Sequence, residues 1–311
     1  MSTSEHSRPH IVVCTEQKKC WHYALRCQTP SNRTRYRRMA DIATIDGEHC
    51  SQNESDWDDD ESSTDSCLEL IQLKSVRNHG LETGVTFSFK EGPMLHISTL
   101  LEEDRIAPLF SGAEWAGTRV WHACVRAVEY LDNNFTAELN NGASLLELGC
   151  GLGVPGMIAR LLGGHVILTD QDSLLKQLRC NIESNFKGDD RITAEALDWS
   201  REEVQKLLNN TGNNQGFDIV LNCDCVFEPL YGESWKLLVE VIDELLRVNP
   251  KSTIISSVER RNGDGIDKFL QAMRDSLHVT QVEEVYHDEN NDINIFITRG
   301  GLTEKILDSA T

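Results

Sequence analysis

Apolar and polar positions along this chain follow two periods. Short, nearly continuous apolar runs at Ser144–Leu148, His165–Thr169, Ile192–Leu197, Phe217–Cys223 and Ser252–Val258 read as strands. Between them, apolar residues recur every three or four positions. Val120, Cys124, Val128 and Leu131 share one face of a helix over Val120–Leu131, and Gly156–Leu162, Ser173–Ser184, Trp235–Leu246 and Ile266–Leu277 read as further helices. Two last strands, Val279–Tyr286 and Ile293–Thr298, flank the polar run His287–Asp292. This alternation predicts an open α/β sheet with helices on both faces and an antiparallel ending. Ahead of it, Leu70–Val76, Val85–Phe89 and Met94–Ile97 predict a small β-element within residues 68–100 of a domain covering 68–311.

The first 67 residues lack such periods. Residues 1–38 carry eight Lys and Arg against Glu5 and Glu16, a basic excess of six, and Met39 follows directly. They are read as an unstructured tail, with an organelle-targeting peptide and a localisation signal as the other readings. Residues 39–67 form an acidic, Ser-rich linker with too few apolar residues to fold alone.

The chemistry concentrates at strand ends. Glu147 closes an apolar run that breaks at Gly149-Cys150-Gly151-Leu152-Gly153 into a helix, a turn of the nucleotide-cofactor type. Glycines there permit positive φ and leave no Cβ between the turn and an adenosine group. The third glycine of a dinucleotide fingerprint would fall at 154, where the chain has Val154. S-adenosylmethionine, which brings an ammonium and a sulfonium but no phosphate, suits Glu147 better than a dinucleotide does. The next strand ends in Asp170, placed to accept ribose hydroxyls or to cap the helix that follows. The third ends in Asp198-Trp199, an acceptor for an adenine amine beside an aromatic face, and the fourth in Asp224, followed by Cys225-Val226-Phe227.

These residues resemble the seven-β-strand methyltransferases, and within them the group called lysine methyltransferase family 16. The resemblance runs from about Ile71 to Gly301. It rests on Val120-Trp121-His122-Ala123, Leu146-Glu147-Leu148-Gly149-Cys150-Gly151, Leu168-Thr169-Asp170 with Asn181, Leu197-Asp198-Trp199, Asp224-Cys225-Val226-Phe227 and Glu259-Arg260-Arg261. Asp224-x-x-Phe227 is similar to the group's (Asp/Glu)-x-x-(Tyr/Phe) motif and is the most specific of the set. The resemblance implies a Rossmann-like, seven-stranded, mostly parallel sheet with an antiparallel final strand. It also implies S-adenosylmethionine held by Trp121, Glu147, Gly149, Cys150, Gly151, Asp170, Asp198, Trp199 and Cys223, with Asp224 and Phe227 facing donor and acceptor. Read alone, Trp121 is equally a core aromatic. Phe227 stands where Tyr is common and Cys223 where Ala is frequent.

Composition then narrows the partners. At 311 residues the chain holds one large domain with tails. A formal charge of −20 disfavours a substrate held through phosphates and favours a basic protein surface presenting a lysine. The ten cysteines, among them Cys124, Cys150, Cys180 and Cys223 in apolar segments, read as buried reduced thiols of an intracellular protein. Cys14, Cys20 and Cys27 with His10 and His22 match no zinc-finger spacing. No stretch reaches about 18 apolar residues, so no membrane association is expected. The expectation is a monomeric, cytoplasmic enzyme, with a nuclear site also open. A methyltransferase acting on a histidine or small molecule and a non-catalytic cofactor-binding scaffold stand as alternatives.

Overall fold

The computed structural model describes residues 71–78, 81–89, 94–98, 116, 117 and 119–301. The tail, the linker and the cysteine–histidine group near the start lie outside them. Three strands come first, β1 (Ile71–Asn78), β2 (Leu81–Phe89) and β3 (Met94–Ser98), paired antiparallel in chain order. The main sheet takes β4 (Ser144–Leu148), β5 (His165–Asp170), β6 (Ile192–Ala196), β7 (Ile219–Cys223), β8 (Thr253–Glu259), β9 (Val279–Asp288) and β10 (Ile293–Gly300), in the order β6-β5-β4-β7-β8-β10-β9. β4 pairs parallel with β5 and β7, while β10 runs antiparallel to both neighbours. The expected architecture is present, with the last strand inserted between β8 and β9.

Helices cover both faces because strand residues alternate. Leu146 and Leu148 of β4, Val220, Ile254, Val258 and Phe296 enter one core with α4 (Arg201–Thr211), α6 (Trp235–Val248) and α7 (Ile266–Asp275). On the other face α1 (His122–Asn140) packs on β7, β8 and β10, α2 (Val154–Leu161) on β4 and β5, and α3 (Asp172–Asn185) on β5 and β6. A short α5 (Glu228–Tyr231) follows β7.

Several boundaries move. The first helix starts at His122 and runs nine residues past Leu131, to Asn140, because Tyr130, Phe135 and Leu139 continue its packing. Trp121 is its N-cap residue, in extended backbone, rather than a helical position. The cap of α3 is Gln171, so the N-cap reading of Asp170 does not hold. Helices α4 and α5 were absent from the periodicity reading. α4 is capped by the Ser200 hydroxyl, which accepts from the Glu203 amide at 3.2 Å, and it places few buried residues among Glu, Lys and Asn. Cys180, expected inside, is exposed on α3, whose buried stripe is Leu174, Leu175, Leu178 and Asn181.

The small sheet is docked by side-chain amides. β3 has one paired edge, and its other edge presents the backbone groups of His96 and Ser98. The Asn185 Oδ1 accepts from His96 N at 2.6 Å and its Nδ2 donates to His96 O at 2.6 Å; Asn181 repeats this on Ser98 at 2.5 and 3.2 Å. Gln177 also donates to Ser98 O. Two amides one helical turn apart thus stand in for a neighbouring strand. Replacing Asn181 or Asn185 with Ala is expected to cost about 1–2 kcal/mol per residue and to speed hydrogen exchange at His96 and Ser98 while β4 and β7 stay protected. Exchange unchanged at β3 in either variant contradicts the docking role.

Candidate functional site

The parallel register brings the carboxyl ends of β4 to β8 to one edge. After β4 the chain turns through Gly149, Gly151 and Gly153 at φ of 58°, 54° and 73°. These values are left-handed and favour glycine. Space imposes the same demand: a Cβ on Gly149 would lie 2.9 Å from Cys225 Sγ and 3.3 Å from the Trp199 ring, and one on Gly151 would lie 2.8 Å from the Gly117 carbonyl.

This turn is stitched to β5. Cys150 N donates to Thr169 O at 3.0 Å, Thr169 Oγ1 to Glu147 O at 2.7 Å, and Gly151 N to Asp170 Oδ2 at 2.7 Å. The other Asp170 oxygen accepts from Gln171 N at 2.8 Å. Burial pushes the Asp170 carboxyl up, and the two amides oppose it. Asp170 is half-buried, so lone pairs beyond these two amides are left for hydroxyl donors. Asp198 lies exposed beyond β6, and the Trp199 ring covers Gly149. These groups fit an adenosine: Cβ-free backbone, a carboxylate at the strand end and an aromatic face.

Glu147 is placed differently from its expected role. It is the penultimate residue of β4, 1% exposed, and its Oε2 accepts from Gly156 N at 2.8 Å beneath the turn. Burial raises its carboxyl to about 8, with the Gly156 amide opposing and the Asp170 charge adding to the rise. Its position braces the start of α2. Cys150 and Cys223 are also buried, and the neighbouring Cys124 thiol of α1 pushes the Cys223 pKa up. Burial first raises the Cys150 and Cys225 pKa values; for Cys223 the Cys124 thiol leads and burial adds, so all three remain protonated thiols.

Beyond β7, Asp224 adopts φ 55°, a left-handed conformation for a non-glycine residue. Its amide donates to Ser257 O at 2.8 Å. Its carboxylate is forked by Arg261, with Nη1 to Oδ1 at 3.0 Å and Nη2 to Oδ2 at 2.6 Å, and Oδ1 also accepts from Glu259 N at 3.2 Å. Arg261 Nη2 lies 2.8 Å from Glu259 Oε2. The Arg261 guanidinium carbon sits 5.5 Å from the Trp121 ring centroid and 5.3 Å from that of Phe227. The Arg261 cation therefore lies against both the Trp121 and the Phe227 ring. Trp121 is also held by Nε1 donating to Ala116 O at 3.1 Å.

The sequence reads Arg260-Arg261 as an anchor for the acceptor segment or a cap of the sheet edge, and Arg261 and Glu259 join this edge. Glu259-Arg260-Arg261 was visible as a family mark, but an Arg at a strand end ordinarily faces solvent. Tyr231 is carried by α5, and its pKa is pushed up by burial and then by Cys225, Asp224 and Asp170.

Residues 109–276, just over half of the chain, match the lysine methyltransferase family. That range spans the glycine turn, Asp170, Trp199, Asp224–Phe227 and Arg261. The chain belongs to this lysine methyltransferase family. The family's methyl donor is S-adenosylmethionine, the group that the β4–β6 edge fits. The chain is similar to the secreted RxLR effector protein 48 of Plasmopara viticola, 46% identical over 38% of this chain and 64% of that protein. It thus spans slightly less than two thirds of that relative's length. It is also similar to the protein N-lysine methyltransferase METTL21A of Xenopus tropicalis, 29% identical over 57% of this chain and 74% of that protein. The EEF1A lysine methyltransferase 3 of the same organism is 27% identical over 70% of this chain and 91% of that protein.

Two outcomes test the donor half of this site. Asp170→Ala is expected to weaken S-adenosylmethionine binding by about 1.5–3 kcal/mol in calorimetry without unfolding the domain, and unchanged affinity would remove Asp170 from the site. Glu147 makes a pH signature. Between its ordinary value of 4.5 and about 8, the folded carboxyl keeps a proton that the unfolded one has lost, so stability falls as pH rises through that window. Glu147→Gln should flatten this fall, which is on the order of a few kcal/mol, in denaturant titrations from pH 5 to 8.

Proposed function

We propose that this protein transfers a methyl group from S-adenosylmethionine to the side-chain amine of a lysine in a protein substrate. The observation that carries this reading is the presence, on one sheet edge and inside one family match, of a donor-side turn with Asp170 and an acceptor-side Asp224–Phe227 motif. The named activities of the METTL21A and EEF1A methyltransferase relatives support a protein acceptor.

When bound, S-adenosylmethionine supplies a methyl on a sulfonium, open to in-line attack by a lone pair. The chain's own residues must therefore deliver an unprotonated amine and align it. A free lysine, with a pKa of about 10.4, is almost wholly protonated at neutral pH. Phe227 is 6% exposed and Trp121 9%, and the Arg261 cation lies against both rings, so a second cation, the ammonium, is disfavoured there. Asp224 is already engaged by Arg261 and the Glu259 amide, so its carboxylate shapes the wall and retains one lone-pair direction on Oδ2 for the acceptor. The amine forms its new N–C bond as the S–C bond breaks, and its proton leaves to water.

The test is transfer of labelled methyl from S-adenosylmethionine by the full chain, with purified EEF1A and then a cell lysate as acceptors. Methyl-lysine in hydrolysed protein is the expected product. Label confined to histidine or small molecules, or none at all with donor binding intact, overturns the reading. With an acceptor in hand, Asp224→Asn is expected to lower kcat at least about tenfold with a smaller change in donor affinity, because the loss sits in the methyl-transfer step. A parent-like rate would leave Asp224 as a strand cap.

A further inference from the structure

Four contacts define the place of the Arg261 guanidinium. It lies 5.5 Å from the Trp121 ring and 5.3 Å from the Phe227 ring, forks Asp224 at 3.0 and 2.6 Å, and reaches Glu259 at 2.8 Å. Its side chain is 14% exposed. We propose that Arg261 is the positioning residue of the acceptor site, a fixed cationic wedge that holds the Asp224–Phe227 turn in its left-handed shape and keeps the two aromatic walls apart.

Three physical arguments lead there. First, a left-handed aspartate persists only where its surroundings over-determine it. Asp224 is pinned through its amide by Ser257 O and through its carboxylate by Glu259 N and Arg261, and Arg261 is the side chain among the three. Second, a planar guanidinium can present faces to two rings while its edge donates a parallel pair of bonds to one carboxylate, which an ammonium cannot do. Third, the guanidinium offsets the Asp224 charge. Without it, the motif would present a buried, unpaired carboxylate to the incoming lysine, and a bare carboxylate favours the ammonium over the reactive amine. Arg261 therefore acts through Asp224 and Phe227, not by touching the reacting atoms.

This inference rests on the lysine-transfer reading, and its test separates the two. Arg261→Ala and Arg261→Lys are made in the full chain and measured for thermal midpoint, S-adenosylmethionine affinity by calorimetry, and methyl transfer to purified EEF1A. For Arg261→Ala we expect donor affinity within about threefold of the parent and kcat/KM down at least about thirtyfold, most of it in kcat. Guanidinium chloride at about 20 mM, supplied to fill the vacated wedge, should raise both its midpoint and its kcat, while equal sodium chloride should not. Arg261→Lys should recover less than about a tenth of the parent rate, because a point charge lacks the fork.

A parent-like rate in Arg261→Lys, or no guanidinium effect on the Ala variant, overturns the proposal. If Arg261→Ala does not fold, Arg261→Lys decides by its rate. If the parent transfers no methyl to EEF1A, the functional reading is at fault in that assay. The guanidinium dependence of the Ala variant's midpoint, measured without any acceptor, still decides the wedge.

Discussion

The hydrogen bond from Gly151 N to the Asp170 carboxylate is the constraint around which the donor half is arranged. It joins the turn after β4 to the end of β5, so two strands that meet through their backbone register also meet through a side chain beyond it. Removing the carboxylate takes away the partner of the Gly151 amide, so the acid is retained there although burial pushes it toward neutrality. Glu147 works from below in the same manner. Its carboxyl holds the Gly156 amide and so seats α2 under the turn. The two acids divide the work by depth: Asp170 shapes the upper surface of the loop, and Glu147 supports its floor.

On the acceptor side the organising group is a cation. Asp224, Glu259 and Arg261 come from the ends of adjacent strands β7 and β8, and Trp121 comes from the entry to α1. α1 is itself tied to the main sheet by the Ser257 hydroxyl donating to Ala123 O at 2.8 Å, and to the end of β9 by Arg126 on Asp288 at 2.7 Å. Neighbouring elements thus converge on one guanidinium. Glu228 steadies the segment behind Phe227, accepting from Trp235 Nε1 at 2.8 Å and from Lys268.

Most of the sheet was legible because its strands are apolar runs closed by acids, and backbone pairing then forces those acids to one edge. The glycine turn, Asp170, Trp199, Asp224 and Phe227 were legible for that reason. What was not legible depends on direction. Glu147 is an acid near a strand end, but alternation points it to the α2 face, and no spacing in one strand says which face a cofactor occupies. The place of Arg261 is not legible because nothing local to it announces the carboxylate and rings contributed by Asp224, Phe227 and Trp121, up to 140 positions away in the chain. Helix α4 was missed because its apolar residues are sparse; Val204, Leu207 and Leu208 suffice once β7 and α6 supply the other side.

The amide ladder between α3 and β3 behaves as a ruler of fixed length. Four helical residues advance about 6 Å, and two strand residues about 6.7 Å. Asn185 and Asn181 can therefore meet His96 and Ser98 with little error, but the mismatch grows by roughly 0.7 Å with each further rung. One turn on, the chain carries Gln177, a methylene longer, and it donates to Ser98 O, which Asn181 also uses. Incommensurate repeats thus limit how far a helix can impersonate a strand.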